Sequence, residues 1–391
     1  MTLKLNRDNV FDYLVQHELC KLPQQTINNI EPIAAKNFNL LVTLADGSKL
    51  LVKQERHNHK GEAAGEFLGE WRIQELLQKF SELNYLGEFL PELLHFDEDN
   101  SIIIFRYLDD YCDVMDFYKE ENYFYPEIST AIGTLIGNIH RDTFMHQEYQ
   151  DLFLQNPNKN ADSMVKNLIH GLERISPEVF SVVPADGLKF YSLYQKFESL
   201  SEALTNVGDA FLPCCVTHND LKINNILLHN HWQESDSCSS KNIVRLIDWE
   251  RSSWGDPAFD LGTLISSYVQ IWLTSLVISK SLSIEESLRL AMTPLEELQP
   301  SMASLTKAYL ETFPEILEHR TDFLARVVQF VGFGLIQQIQ AMIQYQKTFS
   351  NTGIAMLQVA KTLLCHPEPS VATIFGVTAA ELAPSKITIP A

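Results

Sequence analysis

The segment THNDLKINN, residues 217–225, places several groups that can do chemistry within one short stretch. It contains a carboxylate at Asp220, an ammonium group at Lys222 and an amide at Asn225. A second carboxylate, Asp248, ends an apolar run further along the chain. Mg²⁺ takes oxygen ligands of these two kinds, and a lysine can reach a phosphate. These residue types therefore predict a divalent cation and phosphate chemistry.

The apolar runs beside these residues indicate how they are positioned. Asn225 begins the run NILLH, and IVRLIDWE at 243–250 is typical of its antiparallel partner strand. Antiparallel pairing brings the start of the first strand to the end of the second. We therefore expect Asn225 and Asp248 to be neighbours, with Asp220 just upstream of them.

The N-terminal part of the chain has strand-like patterns around one helix. Residues 39–55, NLLVTLADGSKLLVKQE, contain two β-rich runs on either side of Asp46-Gly47, which is a strong hairpin signal. Residues 65–80 place apolar side chains at helical intervals, and SIIIFRYL at 101–108 predicts a further strand. These patterns predict a small β-rich region.

The remainder of the chain, apart from the hairpin near 225–248, is predicted to be helical. The clearest helices cover residues 127–140, 323–346 and 353–364. A small β-rich part followed by a large helical part indicates the α+β class.

Composition excludes several classes of protein. The 391 residues include 30 basic and 50 acidic side chains, and the formal net charge of −20 repels a phosphate backbone, which argues against non-specific nucleic-acid binding. The six cysteines are scattered without a C-x-x-C pair, so neither a disulfide framework nor a zinc site of cysteines is indicated. The first twenty residues lack the apolar core of a secretory signal. We expect a cytoplasmic protein.

Two uncharged stretches, residues 261–279 and 327–346, approach the length of a membrane span. Both carry many polar residues, with serines and threonines in the first and glutamines in the second. We therefore expect no membrane span, and predict two buried helices of a large core.

Three motifs in order carry a resemblance to a known family. H-x-D-L-K-x-x-N at 218–225, IDWE at 247–250 and GDPAFDL at 255–261 resemble the aminoglycoside phosphotransferase and choline kinase family of small-molecule kinases. The resemblance implies a bilobed, protein-kinase-like fold. It implies a β-rich N-terminal lobe with the hinge at 1–108 and a mainly helical C-terminal lobe at 109–391.

The resemblance also implies roles for the residues of the first two motifs. Asp220 would accept or orient the proton of the attacking hydroxyl, and Lys222 would neutralise charge on the phosphoryl group. Asn225 and Asp248 would hold Mg²⁺ against the phosphates of ATP. The alternative for a single aspartate is a turn cap or a strand end. His218 would support the loop, and Asp260 would accept hydrogen bonds from its backbone.

Further residues of the N-terminal lobe are implied to bind the nucleotide. Lys53 would contact the α- and β-phosphates, and Glu70 would pair with it. Glu75 lies on another face of the same predicted helix, so only one of the two glutamates can face the lysine. The backbone from Arg106 to Leu108 would hydrogen-bond the adenine.

The sequence departs from the family at the loop that covers the phosphates. Residues 33–39, IAAKNFN, contain no glycine to let backbone N–H groups approach the phosphates closely, although Lys36 could supply charge. The loop is therefore either a working variant or a disabled one. The second case predicts a catalytically inactive, nucleotide-binding regulatory protein.

The acceptor implied by the resemblance is a hydroxyl group of a small molecule. Residues 109–122 carry six carboxylates and one lysine, which either attract an acceptor that contains an amine or form a solvated surface. Aromatic residues of the helical part could box a quaternary ammonium group, although most should be core. These are Trp272, Phe330, Phe333 and Tyr345. A protein kinase is a further alternative, but no A-P-E segment lies between Asp248 and Asp260.

Overall fold

The computed structural model describes residues 3–20, 27–57, 63, 65–154, 161–173, 183–234, 243–277 and 282–384. The chain forms two compact units. The N-terminal unit comprises Met1–Val114 and Ile226–Ser252, and the helical unit comprises Met115–Asn225 and Ser253–Ala391. The sequence prediction divided the chain once, at residue 108, whereas the structure groups the later hairpin with the N-terminal unit.

The strands are β1 (Ile27–Ile33), β2 (Phe38–Leu44), β3 (Lys49–Gln54), β4 (Leu93–Asp97), β5 (Ile102–Arg106), β6 (Tyr111–Asp113), β7 (Cys215–Thr217), β8 (Ile226–His229), β9 (Val244–Leu246) and β10 (Ser253–Gly255). The helices are α1 (Val10–Gln16), α2 (Phe67–Lys79), α3 (Val114–Glu121), α4 (Pro126–Thr143), α5 (Gln147–Leu154), α6 (Ala161–Glu173), α7 (Ala185–Tyr194), α8 (Glu198–Asp209), α9 (Pro257–Thr274), α10 (Ile284–Arg289), α11 (Leu295–Thr312), α12 (Glu315–His319), α13 (Phe323–Ala341), α14 (Asn351–Cys365), α15 (Pro367–Phe375) and α16 (Ala379–Leu382).

The N-terminal unit is built on an antiparallel sheet with the order β1-β2-β3-β5-β4. The predicted hairpin is confirmed, because β2 pairs with β3 across a turn in which Gly47 has a φ of 87°. Alternate residues of these strands, such as Leu40, Val42 and Val52, face a buried core. The apolar residues Val10 and Leu14 of α1 pack into the same core.

A second, three-stranded sheet of the same unit confirms the predicted hairpin near the IDWE motif. Its order is β6-β8-β9, and Ile226 lies opposite Leu246 in the antiparallel pair β8 and β9. A short 3₁₀ turn, Trp249–Arg251, follows and contacts α2. The second half of the hairpin thus continues directly into a segment that α2 supports.

The helical unit encloses a large apolar core. Helix α4 packs along α11, and α9 packs along α13, which in turn contacts α14. Both predicted buried helices are confirmed, since α9 and α13 are almost entirely buried over their apolar residues. None of the helices in the described ranges is long and apolar enough to span a membrane. The predicted α+β class is confirmed by this helical unit together with the antiparallel sheets of the N-terminal unit.

One glycine fixes how closely α4 and α11 approach each other. A Cβ atom at Gly133 would lie 2.1 Å from the carbonyl oxygen of Leu305. We expect Gly133→Ala to lower the free energy of unfolding by roughly 1–3 kcal/mol, because the two backbones must separate. Chemical denaturation followed by circular dichroism measures this change.

Gly171 in α6 supplies a matched control, because a Cβ atom there meets nothing within 4 Å. Gly171→Ala should raise the free energy of unfolding by about 0.5–1 kcal/mol, since alanine is the better helix former. Equal effects of the two substitutions would contradict the close helix approach.

Candidate functional site

The loop that follows β7 is held by the buried carboxylate of Asp260, in the first turn of α9. Asp260 accepts hydrogen bonds from the backbone N–H groups of His218, at 2.6 Å, and Asn219, at 2.8 Å. Both N–H groups are buried and need an acceptor. The predicted anchoring role of Asp260 is confirmed.

The anchor is itself fixed by a buried polar chain that crosses the helical unit. His140 of α4 lies with Nε2 3.3 Å from Asp260 Oδ2 and with Nδ1 3.0 Å from the hydroxyl of Tyr309 in α11. Three helices thus determine where Asp260, and with it the loop, is placed.

The turn of the loop needs an unusual backbone conformation at Asn219. Its φ is 61°, in the left-handed region, which asparagine tolerates better than most residues. Asn219 Oδ1 accepts a hydrogen bond from Thr217 Oγ1 at 2.9 Å, and its Nδ2 donates to Ser253 Oγ at 2.9 Å. Gly255 is required beside this turn, because a Cβ atom there would lie 2.1 Å from Thr217 Oγ1.

The loop brings three of the predicted site residues together. Lys222 Nζ donates to Asp220 Oδ2 at 2.9 Å, and Asn225 Nδ2 donates to the backbone oxygen of Asp220 at 2.8 Å and to its Oδ2 at 3.3 Å. The backbone N–H of Asp220 donates to His218 Nδ1 at 3.3 Å, which fits the supporting role predicted for this histidine. The side chain of Asp220 is 23% exposed, so it is fixed and still accessible.

Asp256 of the GDPAFDL motif forms an ion pair that the sequence did not reveal. Asp256 caps α9 by accepting a hydrogen bond from Ala258 N–H at 2.9 Å, and it pairs with Arg320 Nη1 at 2.5 Å. Burial raises the pKa of Asp256, although Arg320 acts to lower it. Arg320 lies far along the chain in a region without motifs, so no local pattern predicts this pair.

In the N-terminal unit, Lys53 on β3 pairs with Asp248. The Nζ and Oδ1 atoms are 2.6 Å apart, and the side chain of Lys53 is only 15% exposed. Asp248 has a φ of 63°, a left-handed conformation that turns the chain sharply after β9. Burial alone would lower the pKa of Lys53, but Asp248 and Glu70 together raise it.

Glu70 of α2 is the second acidic group near Lys53. Burial raises the pKa of Glu70 to about 8, against the opposing effect of Lys53. In the part of the chain that the structure describes, the direct ion pair of Lys53 is with Asp248, and Glu70 acts on it through charge. Glu70 is 4% exposed while Glu75 of the same helix is only half-buried, which agrees with the choice of Glu70 as the inward-facing residue.

A glycine places Glu70 next to the segment that follows Asp248. A Cβ atom at Gly69 would lie 2.3 Å from the carbonyl oxygen of Glu250. Ser252 Oγ donates a hydrogen bond to the carbonyl oxygen of Gly69 at 3.0 Å. Helix α2 therefore contacts the chain after β9 directly, and this contact keeps Glu70 close to Asp248 and Lys53.

Three predicted nucleotide-binding positions lie elsewhere in the N-terminal unit. Lys36, in the loop between β1 and β2, pairs with Glu66 at the start of α2. Arg106 ends β5, and its side chain pairs with Glu92 at 2.5 Å. Within the described residues, the backbone N–H of Leu108 has no protein acceptor, whereas that of Arg106 donates to Glu92 O.

The predicted neighbourhood of Asn225 and Asp248 joins residues of different units and stays a prediction.

The aromatic residues proposed for an acceptor pocket differ in burial. Phe330 and Phe333 are buried in the core against Phe259, while Tyr345 is 74% exposed. Trp272 lines a cavity of about 230 Å³ in the helical unit.

Comparison with known proteins gives one family and several distant solved structures. The family described as "Phosphotransferase enzyme family" matches residues 30–280. No curated protein sequence gives a match. The choline kinase LicA from Streptococcus pneumoniae is 14% identical, with coverage of 91% of this chain and 99% of that chain and a TM-score of 0.41.

Two further solved structures are similarly distant. The streptomycin–ATP–APH(2″)-IIa ternary complex is 14% identical, with coverage of 93% of this chain and 99% of that chain and a TM-score of 0.48. The macrolide 2′-phosphotransferase MphH from Brachybacterium faecium is 13% identical, with coverage of 89% and 98% and a TM-score of 0.45. The family match, however, spans more than half of the 391 residues and includes the loop 218–225 and the GDPAFDL motif. The chain therefore belongs to the phosphotransferase enzyme family.

Proposed function

We propose that the protein is a phosphotransferase that moves the γ-phosphate of ATP to a hydroxyl group of a small molecule. The observation that carries this proposal is the loop in which Asp260 holds the backbone while Asp220, Lys222 and Asn225 contact one another. A fixed, accessible carboxylate beside a lysine suits proton removal from a hydroxyl next to a phosphate. Phosphoryl transfer needs such positioning and charge neutralisation more than covalent chemistry.

Asp220 and Lys222 have different roles in the proposed reaction. Asp220 orients the acceptor hydroxyl and takes its proton as the new phosphate ester bond forms. Lys222 neutralises negative charge on the transferred group. The acceptor attacks the phosphorus in line with the leaving ADP, so no phosphorylated enzyme forms.

Asn225 and Asp248 are the proposed ligands of Mg²⁺. Both hydrogen bonds of Asn225 to Asp220 use Nδ2, so Oδ1, the atom with which an amide binds a cation, is in neither of them. Asp248 contributes a carboxylate, whose Oδ1 pairs with Lys53 Nζ at 2.6 Å. These oxygens fit a hard cation. When bound, Mg²⁺ neutralises the nucleotide phosphates.

The remaining nucleotide contacts are proposed for the N-terminal unit. Lys53 contacts the α- and β-phosphates, and Glu70 then becomes its partner. Lys36 contributes charge near the phosphates after it leaves Glu66, and the Arg106 to Leu108 backbone binds the adenine. The N–H group of Leu108, which has no protein acceptor among the described residues, supports this last contact.

Amine-containing alcohols are the first acceptors to test. The formal net charge of −20 and the carboxylates at 109–122 favour a cationic substrate over an anionic one. The second candidate function is nucleotide binding without transfer. The ion pair of Lys36 with Glu66 in a loop without glycine favours it, because that lysine is already neutralised.

We expect the purified protein to consume ATP with Mg²⁺ and at least one acceptor from a panel of aminoglycosides, choline, ethanolamine, sugars and hydroxy amino acids. Asp220→Asn should lower kcat by about 10² to 10⁴, because the amide cannot take the proton. ATP binding, measured by calorimetry, should persist in this variant.

Asp209→Asn is the control, since Asp209 is an exposed carboxylate at the end of α8 and should leave kcat unchanged. Undiminished turnover in Asp220→Asn would rule out Asp220 as the base. ATP binding without consumption across the whole panel would support the second candidate function.

Glu70 generates a pH-dependent prediction. Its pKa is 4.5 in the unfolded chain and about 8 in the folded chain, so the folded chain holds a proton that the unfolded chain has lost. The contribution of Glu70 to the free energy of unfolding therefore falls as pH rises through this window. Glu70→Gln removes that loss. The quantity to measure is the melting temperature of the variant minus that of the wild type. We expect this difference to be at least about 2 °C more positive at about pH 9 than at about pH 5.

Glu75→Gln serves as the control from the same helix, because Glu75 is only half-buried. Its melting temperature relative to wild type should stay nearly constant with pH. If the melting-temperature difference between Glu70→Gln and the wild type also stays constant with pH, Glu70 is ionised in the folded protein.

A further inference from the structure

The N-terminal unit contains a cluster of metal-ligating side chains that the proposed phosphotransfer does not use. His17 lies at the C-terminal end of α1, and His95 and Asp97 lie on β4. One ligand atom from each residue lies within 4.8 Å of the others. All three side chains are half-buried, so an ion can reach them from solvent.

We propose that His17, His95 and Asp97 form a binding site for one divalent transition-metal ion, with Zn²⁺ as the best fit. Two imidazoles and one carboxylate form a donor set that zinc binds, with a fourth position open to water. Imidazole nitrogen favours zinc and its neighbours over Mg²⁺, which takes oxygen ligands. The site therefore selects a different ion from the one proposed for Asn225 and Asp248.

The carboxylate of the cluster is already oriented. Asp97 Oδ1 accepts the N–H of Asn100 at 3.0 Å, and Oδ2 accepts Asn100 Nδ2 at 2.9 Å and the hydroxyl of Tyr13 at 2.9 Å. A carboxylate has about four lone-pair sites, and three are used here. One site on Oδ1 remains for a cation. Partners that hold a ligand in this way strengthen metal binding.

The two imidazoles are close together and only weakly engaged. Their ring centroids are 4.2 Å apart. Among the described residues, the ring nitrogens of His17 have no hydrogen-bond partner, and His95 Nε2 makes a single contact, at 3.3 Å, with Tyr13 Oη.

A metal at this position would join two elements that are far apart in sequence. Strand β4 is at the edge of the five-stranded sheet, and α1 packs against the same core as the sheet through Tyr13 and its apolar neighbours. An ion that binds only the folded arrangement stabilises it by mass action. The site would thus fasten the N-terminal helix to the sheet edge.

The test uses the full chain, stripped of metal with a chelator, and titrated with Zn²⁺ in a calorimeter and with Co²⁺ in an absorption spectrometer. We expect one site, a Co²⁺ spectrum of nitrogen and oxygen ligation, and a rise in melting temperature with Zn²⁺. His17→Ala should weaken Zn²⁺ binding more than about 100-fold, because partners that merely orient a ligand are worth about 10–100-fold. Tyr13→Phe should weaken it about 10-fold by loosening Asp97.

His231→Ala is the matched control, because His231 is an exposed histidine paired with Glu234 outside the cluster. It should leave the affinity, the spectrum and the metal-induced rise in melting temperature unchanged. His17 touches its surroundings through ring contacts with Tyr13 and His95, so its replacement should leave the fold intact. Zn²⁺ binding that survives His17→Ala, or no binding by the wild type, would overturn the proposal.

Discussion

The two hydrogen bonds that Asp260 accepts from the backbone of His218 and Asn219 are the constraint on which the candidate site depends. A buried N–H group without an acceptor costs about 1–3 kcal/mol, so one carboxylate that satisfies two of them strongly favours a single loop conformation. The left-handed turn at Asn219 becomes tolerable only because these bonds and the Thr217 contact hold it. Because the loop backbone is fixed, the position of Asp220 is fixed as well.

In the N-terminal unit, two carboxyl groups lie near one ammonium group, so acidic groups outnumber basic ones at this position. Lys53 faces Asp248 directly, while Glu70 is buried nearby with its pKa raised to about 8 by burial. One ammonium group cannot neutralise both carboxyl groups, so the less accessible one keeps its proton. A ligand that moves Lys53 away from Asp248, or that brings a cation close to the two carboxyl groups, would change that balance. The unit is therefore sensitive to charge at the position where nucleotide phosphates are proposed to bind.

The sequence predicted the parts of this arrangement that local patterns specify. Apolar runs of the correct length predicted the antiparallel β8–β9 hairpin, and helical periodicity predicted α2, α4 and α13. The role of Asp260 came from its motif. Arg320 and Asn219 were missed for physical reasons, because the ion pair with Asp256 joins distant segments and a left-handed turn leaves only a weak preference for asparagine. The Lys53–Asp248 pair was also missed, since family resemblance assigned the lysine to a glutamate.

Burial separates the aspartates of the motifs into different kinds of residue. Asp256 is fully buried and tied to Arg320, and Asp260 is buried and committed to backbone N–H groups. Neither can exchange a proton with a substrate without breaking the fold around it. The side chain of Asp220 keeps 23% of its surface exposed and is restrained by the flexible amine of Lys222 and by the amide of Asn225. Of these three carboxylates, Asp220 alone combines a fixed position with exposure to solvent, which is the combination that the proposed general base requires.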